Sequence, residues 1–217
     1  MRWPRLAQDI LYECGVLCPV VCALRRRRVS WWNIMRFTSL RVLASGEYRE
    51  RTIIDVPEKV PIYSRFDLLA YRELFLLDDY HVAFWAPSLA DADAPRVLDV
   101  GANVGMFAAL CRTINPKVRL RCFEMVPDCA PVIRKRMMDM GHRDVEVLTC
   151  VVKSRDGDPV PVVYDSPFAP GNNLGRTTGT HTETVPVVSL DSWWDRAGMA
   201  GVPFLVKIDV EGAEGEV

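Results

Sequence analysis

Three short stretches of this chain carry residues whose types and spacing suit chemistry. "VLDVGANVG" holds Asp99, Gly101, Ala102, Asn103 and Gly105, "RCFEM" holds Glu124 and Met125, and "LVKIDVEGAE" holds Lys207, Asp209, Glu211 and Glu214. Each closes an apolar run with the composition of a buried strand. Gly101 can take a positive φ and let a ligand approach the backbone, and Gly105 lets the next helix pack closely on the strand. That helix presents unpaired amide groups at its N-terminus. Glu124 follows Gly105 by nineteen residues. A carboxylate at a neighbouring strand tip can accept both hydroxyl hydrogens of a ribose.

The glycine spacing is G-x-x-x-G, with Asp99 two residues ahead, and the dinucleotide pattern G-x-G-x-x-G is absent. An acid at position 99 repels a pyrophosphate and suits a ligand with a cationic amino-acid end. S-adenosyl-L-methionine carries an ammonium and a sulfonium and no phosphate, so the pattern favours a methyltransferase. An NAD-dependent oxidoreductase is the alternative enzyme, and a catalytically inactive cofactor-binding fragment the alternative outside catalysis. Asp209 and Glu211 are the catalytic candidates, expected beside the transferred methyl group, where an acceptor hydroxyl must be oriented and lose its proton. His181 and His81 are the lesser candidates for that base. No His/Cys/Asp grouping has metal-ligand spacing, so no metal is expected.

Positioning these residues falls to alternating strands and helices. "RVLDVG", "KVRLRCFE", "DVEVLTCVV" and "FLVKIDVEGAE" read as strands, with helices at "VGMFAALCRTI", "DCAPVIRKRMMDMG" and "SLDSWWDRAG". Gly141 is the expected C-cap of the second helix, and Ser189 or Asp191 the N-cap of the third. "RDGDPVPVVYD" and "TETVPVVSL" read as paired extended segments around a polar loop. Parallel strands need crossovers, so the alternation predicts an α/β fold with a doubly wound, mostly parallel sheet. Three zones result: residues 1–50, an Arg- and Trp-rich extension, helical in this reading; 51–94, a connecting unit; and 95–217, the core. Within the connecting unit, "RTIIDVP" and "KVPIYS" read as short strands and "SRFDLLAYRELFLLDDYHVAFW" as one helix. Ser64 and Asp67 stand at its N-terminus, Leu68, Leu69, Tyr71, Leu74, Phe75 and Leu76 on its core face, and "ADADAP" follows as a linker. The chain stops just after the fourth strand, which reads as truncation.

Composition is that of a globular protein, 49% hydrophobic and 25% charged with a net charge of -1, so nothing overall points to nucleic acid. Seven irregularly spaced cysteines suit reduced thiols in the cytoplasm better than a disulfide framework. Cys14, Cys18 and Cys22 would share one helix face as apolar contacts. Residues 10–28 join an apolar stretch too short to span a bilayer to four arginines, and could lie in a membrane interface or tuck against the domain. Trp31 and Trp32 beside those arginines fit an amphipathic packing segment better than an RNA-binding arm.

"VLDVGANVGMFA", "RCFEMVPD", "VEVLTCVVKSRDG", "VPVVSLDSWW" and "FLVKIDVEGAEGEV" together resemble the FkbM family of S-adenosylmethionine-dependent methyltransferases, over about residues 51–217. The resemblance implies a Rossmann-like class I methyltransferase fold and O-methylation of a hydroxyl on a sugar or a natural-product-like acceptor. It implies a cofactor loop of Asp99, Gly101, Ala102, Asn103 and Gly105, Glu124 on the ribose, and Met125, Cys150 and Val151 around the adenine. Asp209 would lie by the methionine end or the acceptor. The acid often found near the adenine is lacking unless Asp156 or Asp158 reaches back. The family continues beyond "EGAE" with a helix and further strands.

Overall fold

The computed structural model describes residues 58–217 apart from 78–79, 170–171, 200, 202, 211–214 and 216. The chain divides into two compact units, Met1–Val82 and Ala83–Val217. The predictions made for residues 1–57, the cysteine face and the first short strand among them, lie outside the described residues.

In the first unit, helix α1 (Arg65–Tyr71) begins at Ser64, whose hydroxyl accepts from the Asp67 amide while Asp67 accepts from the Ser64 amide, a reciprocal capping box. Leu68, Tyr71, Leu74 and Phe75 of the predicted face are buried, whereas Leu69 and Leu76 are only half-buried. The single long helix expected over this stretch is instead two. Past α1 the chain widens into a π-helical segment (Arg72–Leu77), and His81 takes a positive φ of 51° before α2 (Val82–Asp91) starts. A left-handed residue cannot continue a right-handed helix, so the break is local and backbone-driven. "KVPIYS" forms only an isolated bridge, at Ile62, and the expected linker is partly helical, because α2 runs through Ala90 and Asp91.

The second unit is built on a parallel sheet. Strands β1 (Arg96–Val100), β2 (Arg119–Glu124), β3 (Glu146–Thr149) and, after an excursion, β7 (Leu205–Ile208) lie in the order β3-β2-β1-β7. Helices α3 (Met106–Ile114) and α4 (Cys129–Asp139) supply the first two crossovers. Residues Met106 to Arg112 of α3 are all buried, so this helix is enclosed on every side, as its near-continuous apolar sequence requires. Helix α4 closes with Gly141 at φ 86°, its amide donating to Met138 and that of His142 to Met137, the paired bonds of a Schellman cap.

"DVEVLTCVV" does not form the one strand expected. It splits at Cys150 because β2 ends at Glu124 and offers no further partner; the Cys150 amide makes the last bond, to the Glu124 carbonyl. The chain then pairs elsewhere. Strands β4 (Val151–Val152), β5 (Gly157–Tyr164) and β6 (His181–Val188) form a second sheet ordered β4-β6-β5, with β5 and β6 antiparallel. Helix α5 (Leu190–Arg196) follows, capped by the Ser189 hydroxyl, which accepts from Ser192. Trp193 packs edge-on against Phe123, joining α5 to the centre of the parallel sheet.

Candidate functional site

The loops leaving β1, β2 and β7 meet at the carboxyl edge of the parallel sheet, the edge where open α/β sheets bind ligands. Asp99 and Lys207 are register partners on β1 and β7, so their side chains project from the same face. The Lys207 Nζ lies 3.1 Å from the Asp99 carboxylate and 3.8 Å from that of Asp209. It also donates to the Gly101 carbonyl at 2.6 Å and reaches the Val100 carbonyl at 3.3 Å. One buried ammonium therefore ties the exit of β1 to the exit of β7. Burial pushes the Asp99 carboxyl above its ordinary range, and Lys207 opposes that shift.

Gly101 has a φ of 74°, and a Cβ there would stand 1.9 Å from the carbonyl oxygen of Asp209. The space that its missing side chain leaves is taken by the neighbouring backbone. Both the Gly101 and the Ala102 amides donate to the Phe123 carbonyl, which fastens the loop to β2. Gly105, at φ 79°, has Ile133 of α4 as its close neighbour, with a Cβ position 3.1 Å from two of that side chain's carbons. It relieves helix-helix crowding, where the sequence suggested helix-strand packing.

Glu124 is 6% exposed, and each of its carboxylate oxygens accepts one backbone amide: Asn103 at 2.7 Å and Val126 at 2.9 Å. Burial raises its pKa, and these two bonds hold it back. Two lone pairs per oxygen leave acceptor capacity for a ligand.

These residues surround a cleft of about 740 Å³, open solvent at its mouth included. Gly101, Asn103, Glu124, Met125, Cys150, Val151 and Asp209 line it, so seven of the eleven positions singled out from the sequence face one space. Asp99, Ala102 and Gly105 do not line it; they hold the loop from behind. Glu211 lies outside the described residues. His181 is stacked on the Tyr164 ring, away from the cleft. Asp156 is turned to the Ser189 amide and Arg196, and neither it nor Asp158 lines the cleft. Among the described residues no three His, Cys, Asp or Glu side chains gather as a metal site, and no helix is long and apolar enough to cross a membrane.

Sequence reasoning missed one whole wall. Pro167, Ala169, Asn172 and Leu174, from the loop joining β5 to β6, close the far side of the cleft with Lys153. The only signal in the sequence was a polar, Gly/Pro-rich loop of unusual length, and such loops tend to carry function.

Sheet order and glycine turn define a Rossmann-like α/β domain. Residues 99–217 match the methyltransferase FkbM domain, and the chain belongs to that family. It is 30% identical over 143 residues to the 2-O-methyltransferase NoeI of Sinorhizobium fredii (strain NBRC 101917 / NGR234), a match covering 60% of this chain and 58% of that protein. Methyltransferase sdnD of Sordaria araneosa is 28% identical over 145 residues, covering 65% and 51%. The chain thus spans little more than half the length of these relatives. Solved structures with some likeness include coclaurine N-methyltransferase bound to N-methylheliamine and SAH, with a TM-score of 0.32 at 13% identity over 66% of this chain and 49% of that one. Precorrin-6y C5,15-methyltransferase from Geobacter metallireducens GS-15 gives a TM-score of 0.27 at 20% identity, over 32% and 38%.

Proposed function

We infer that the chain binds S-adenosyl-L-methionine in this cleft and transfers its methyl group to a hydroxyl of a sugar or a natural-product-like acceptor. The observation that carries the reading is Glu124. A buried carboxylate, fixed by two backbone amides and facing a cleft with apolar walls, suits the paired hydroxyls of a ribose. Three acids, Asp99, Glu124 and Asp209, stand near the loop or on the cleft against two lysines, Lys207 and Lys153, and this surplus of negative charge favours a cationic ligand over a pyrophosphate. Residues and cofactor fit.

Gly101 and Asn103 would hold the amino-acid end and Glu124 the ribose, with Met125, Cys150 and Val151 flanking the base. When bound, the cofactor supplies an already activated methyl group, so the protein's work is alignment and handling of the acceptor proton. Asp209, at the end of β7 with its side chain 41% exposed on the cleft, would accept that proton. Its backbone is pinned by the Val100 carbonyl and its carboxylate is flanked by Lys207. Glu211 remains the second candidate for this role. The inferred setting is the cytoplasm, with a small-molecule or glycan acceptor as partner.

The reading is tested by calorimetric titration of the chain with S-adenosyl-L-methionine, followed by transfer of isotope-labelled methyl to a panel of hydroxylated acceptors. Saturable binding that is clearly weakened in Glu124→Ala supports it. Absence of binding overturns it.

A further inference from the structure

Neither Asp156 nor Asp158, the acids that would have to reach back toward an adenine, lines the cleft. A group must still recognise the base if the cleft is to select it. The geometry points to Asn172, through its side-chain oxygen, as the residue that accepts the exocyclic amine of adenine. This rests on the proposed S-adenosyl ligand.

The orientation of the Asn172 amide is fixed. Its Nδ2 donates to the Ser166 carbonyl at 3.0 Å and the Pro167 carbonyl at 3.2 Å. The opposite orientation would set Oδ1 against two carbonyl oxygens, a repulsive arrangement, so the assignment of nitrogen and oxygen follows from the neighbours. Both amide hydrogens are then used within the loop. Oδ1 takes no hydrogen bond among the described residues, and Asn172 lines the cleft.

The loop that carries it is anchored on both sides. The Cys129 thiol donates to the Pro167 carbonyl at 3.3 Å. Phe168 and Leu174 pack on the cluster containing Val126, Cys129 and Val151. The same cluster takes in Met125, so the loop stands on the side of the cleft where the flat faces of a base would meet Met125 and Val151.

The other side-chain groups on the lining stand at the strand exits or have the wrong polarity. Glu124 and Asn103 belong to the glycine-loop end: the Asn103 backbone amide holds Glu124, and the Asn103 side-chain oxygen is buried there without a hydrogen-bond partner in the structure. Asp209 lies at the end of β7. Lys153 offers only donors. Burial beside Glu124 keeps Cys150 a neutral thiol, a weak hydrogen-bonding group. Adenine presents an amine donor at C6, whereas hypoxanthine presents a carbonyl there. An acceptor fixed as Asn172 Oδ1 is would favour the first and oppose the second.

The test compares S-adenosyl-L-homocysteine with its 6-oxo counterpart, S-inosyl-L-homocysteine, by calorimetric titration of the full chain and of Asn172→Ala. The wild-type chain is expected to prefer the adenine compound by about tenfold or more, the effect of one hydrogen bond gained against an acceptor pair opposed. In Asn172→Ala the two affinities should come within about twofold of each other. A wild-type chain that binds both equally overturns the assignment without any variant. So does a variant that weakens both compounds alike and keeps the preference, since that would make Asn172 a loop fastener only. Failure of the wild-type chain to bind either compound overturns the cofactor reading, and this assignment with it.

Discussion

Asp99 and Lys207 face each other across adjacent parallel strands, carboxylate and ammonium 3.1 Å apart, with the Asp99 side chain fully enclosed. Neither lines the cleft, yet together they set where its loops stand. The same ammonium reaches the Gly101 carbonyl and lies beside Asp209.

Replacing Lys207 by Met should destabilise the domain by about 3–5 kcal/mol, because it leaves a buried carboxylate without its partner. Adding Asp99→Asn to that variant should recover part of the loss, since the uncompensated charge is gone. Urea unfolding of the two single variants and the double variant measures the coupling; strict additivity would show that the pair does not act as a unit.

Gly101→Ala should be more damaging than its single methyl suggests. The new Cβ would meet the Asp209 carbonyl oxygen, and the residue would also have to hold a φ of 74°. We expect a loss of at least about 2 kcal/mol, with cofactor binding lost as β1 and β7 separate. A variant that unfolds like the wild-type chain would refute the close approach of the two strand exits.

Glu124→Ala should weaken binding of S-adenosyl-L-homocysteine by about 10- to 100-fold, the effect of losing hydrogen bonds to a charged acceptor. Asp209→Asn should separate from it. Cofactor affinity should change little, while kcat falls by about 100-fold or more if the carboxylate takes the acceptor proton. Equal losses of affinity and rate in Asp209→Asn would place it in binding instead.

Stability should depend on pH through the two buried acids. Asp99 and Glu124 both have pKa values raised by burial above their ordinary 3.8 and 4.5. In the window above those ordinary values the folded chain holds protons that the unfolded chain has released. These groups therefore stabilise the fold fully below that window, and the contribution is lost as pH rises through the raised folded values. Glu124→Gln should flatten that fall, read as the slope of the urea midpoint between about pH 4 and about pH 8. An unchanged slope would contradict the raised value.

Much of this was legible in order along the chain. Strand β1, its glycine turn, β2 ending in Glu124 and the cap at Gly141 are local features, written in hydrophobic periodicity and in residues with special backbone freedom. Such signals need no knowledge of neighbours, so periodicity placed β1 within one residue and β2 within two residues of where they lie.

What the tertiary structure decided are the matters of partnership. The apolar run through Cys150 is compatible with one strand, and it divides only because β2 ends at Glu124 and β6 is at hand. The helix through Tyr80 breaks at a backbone conformation that residue types do not announce. Asp99 looked like a ligand contact from its place in the motif; its register with Lys207 turns it into a buried support. The β5–β6 loop becomes a wall of the cleft only because Phe168 and Leu174 find the cluster around Val126. Periodicity and backbone preference are carried by each segment alone. Pairing, burial and the meeting of distant loops depend on which surfaces the rest of the chain leaves to be covered.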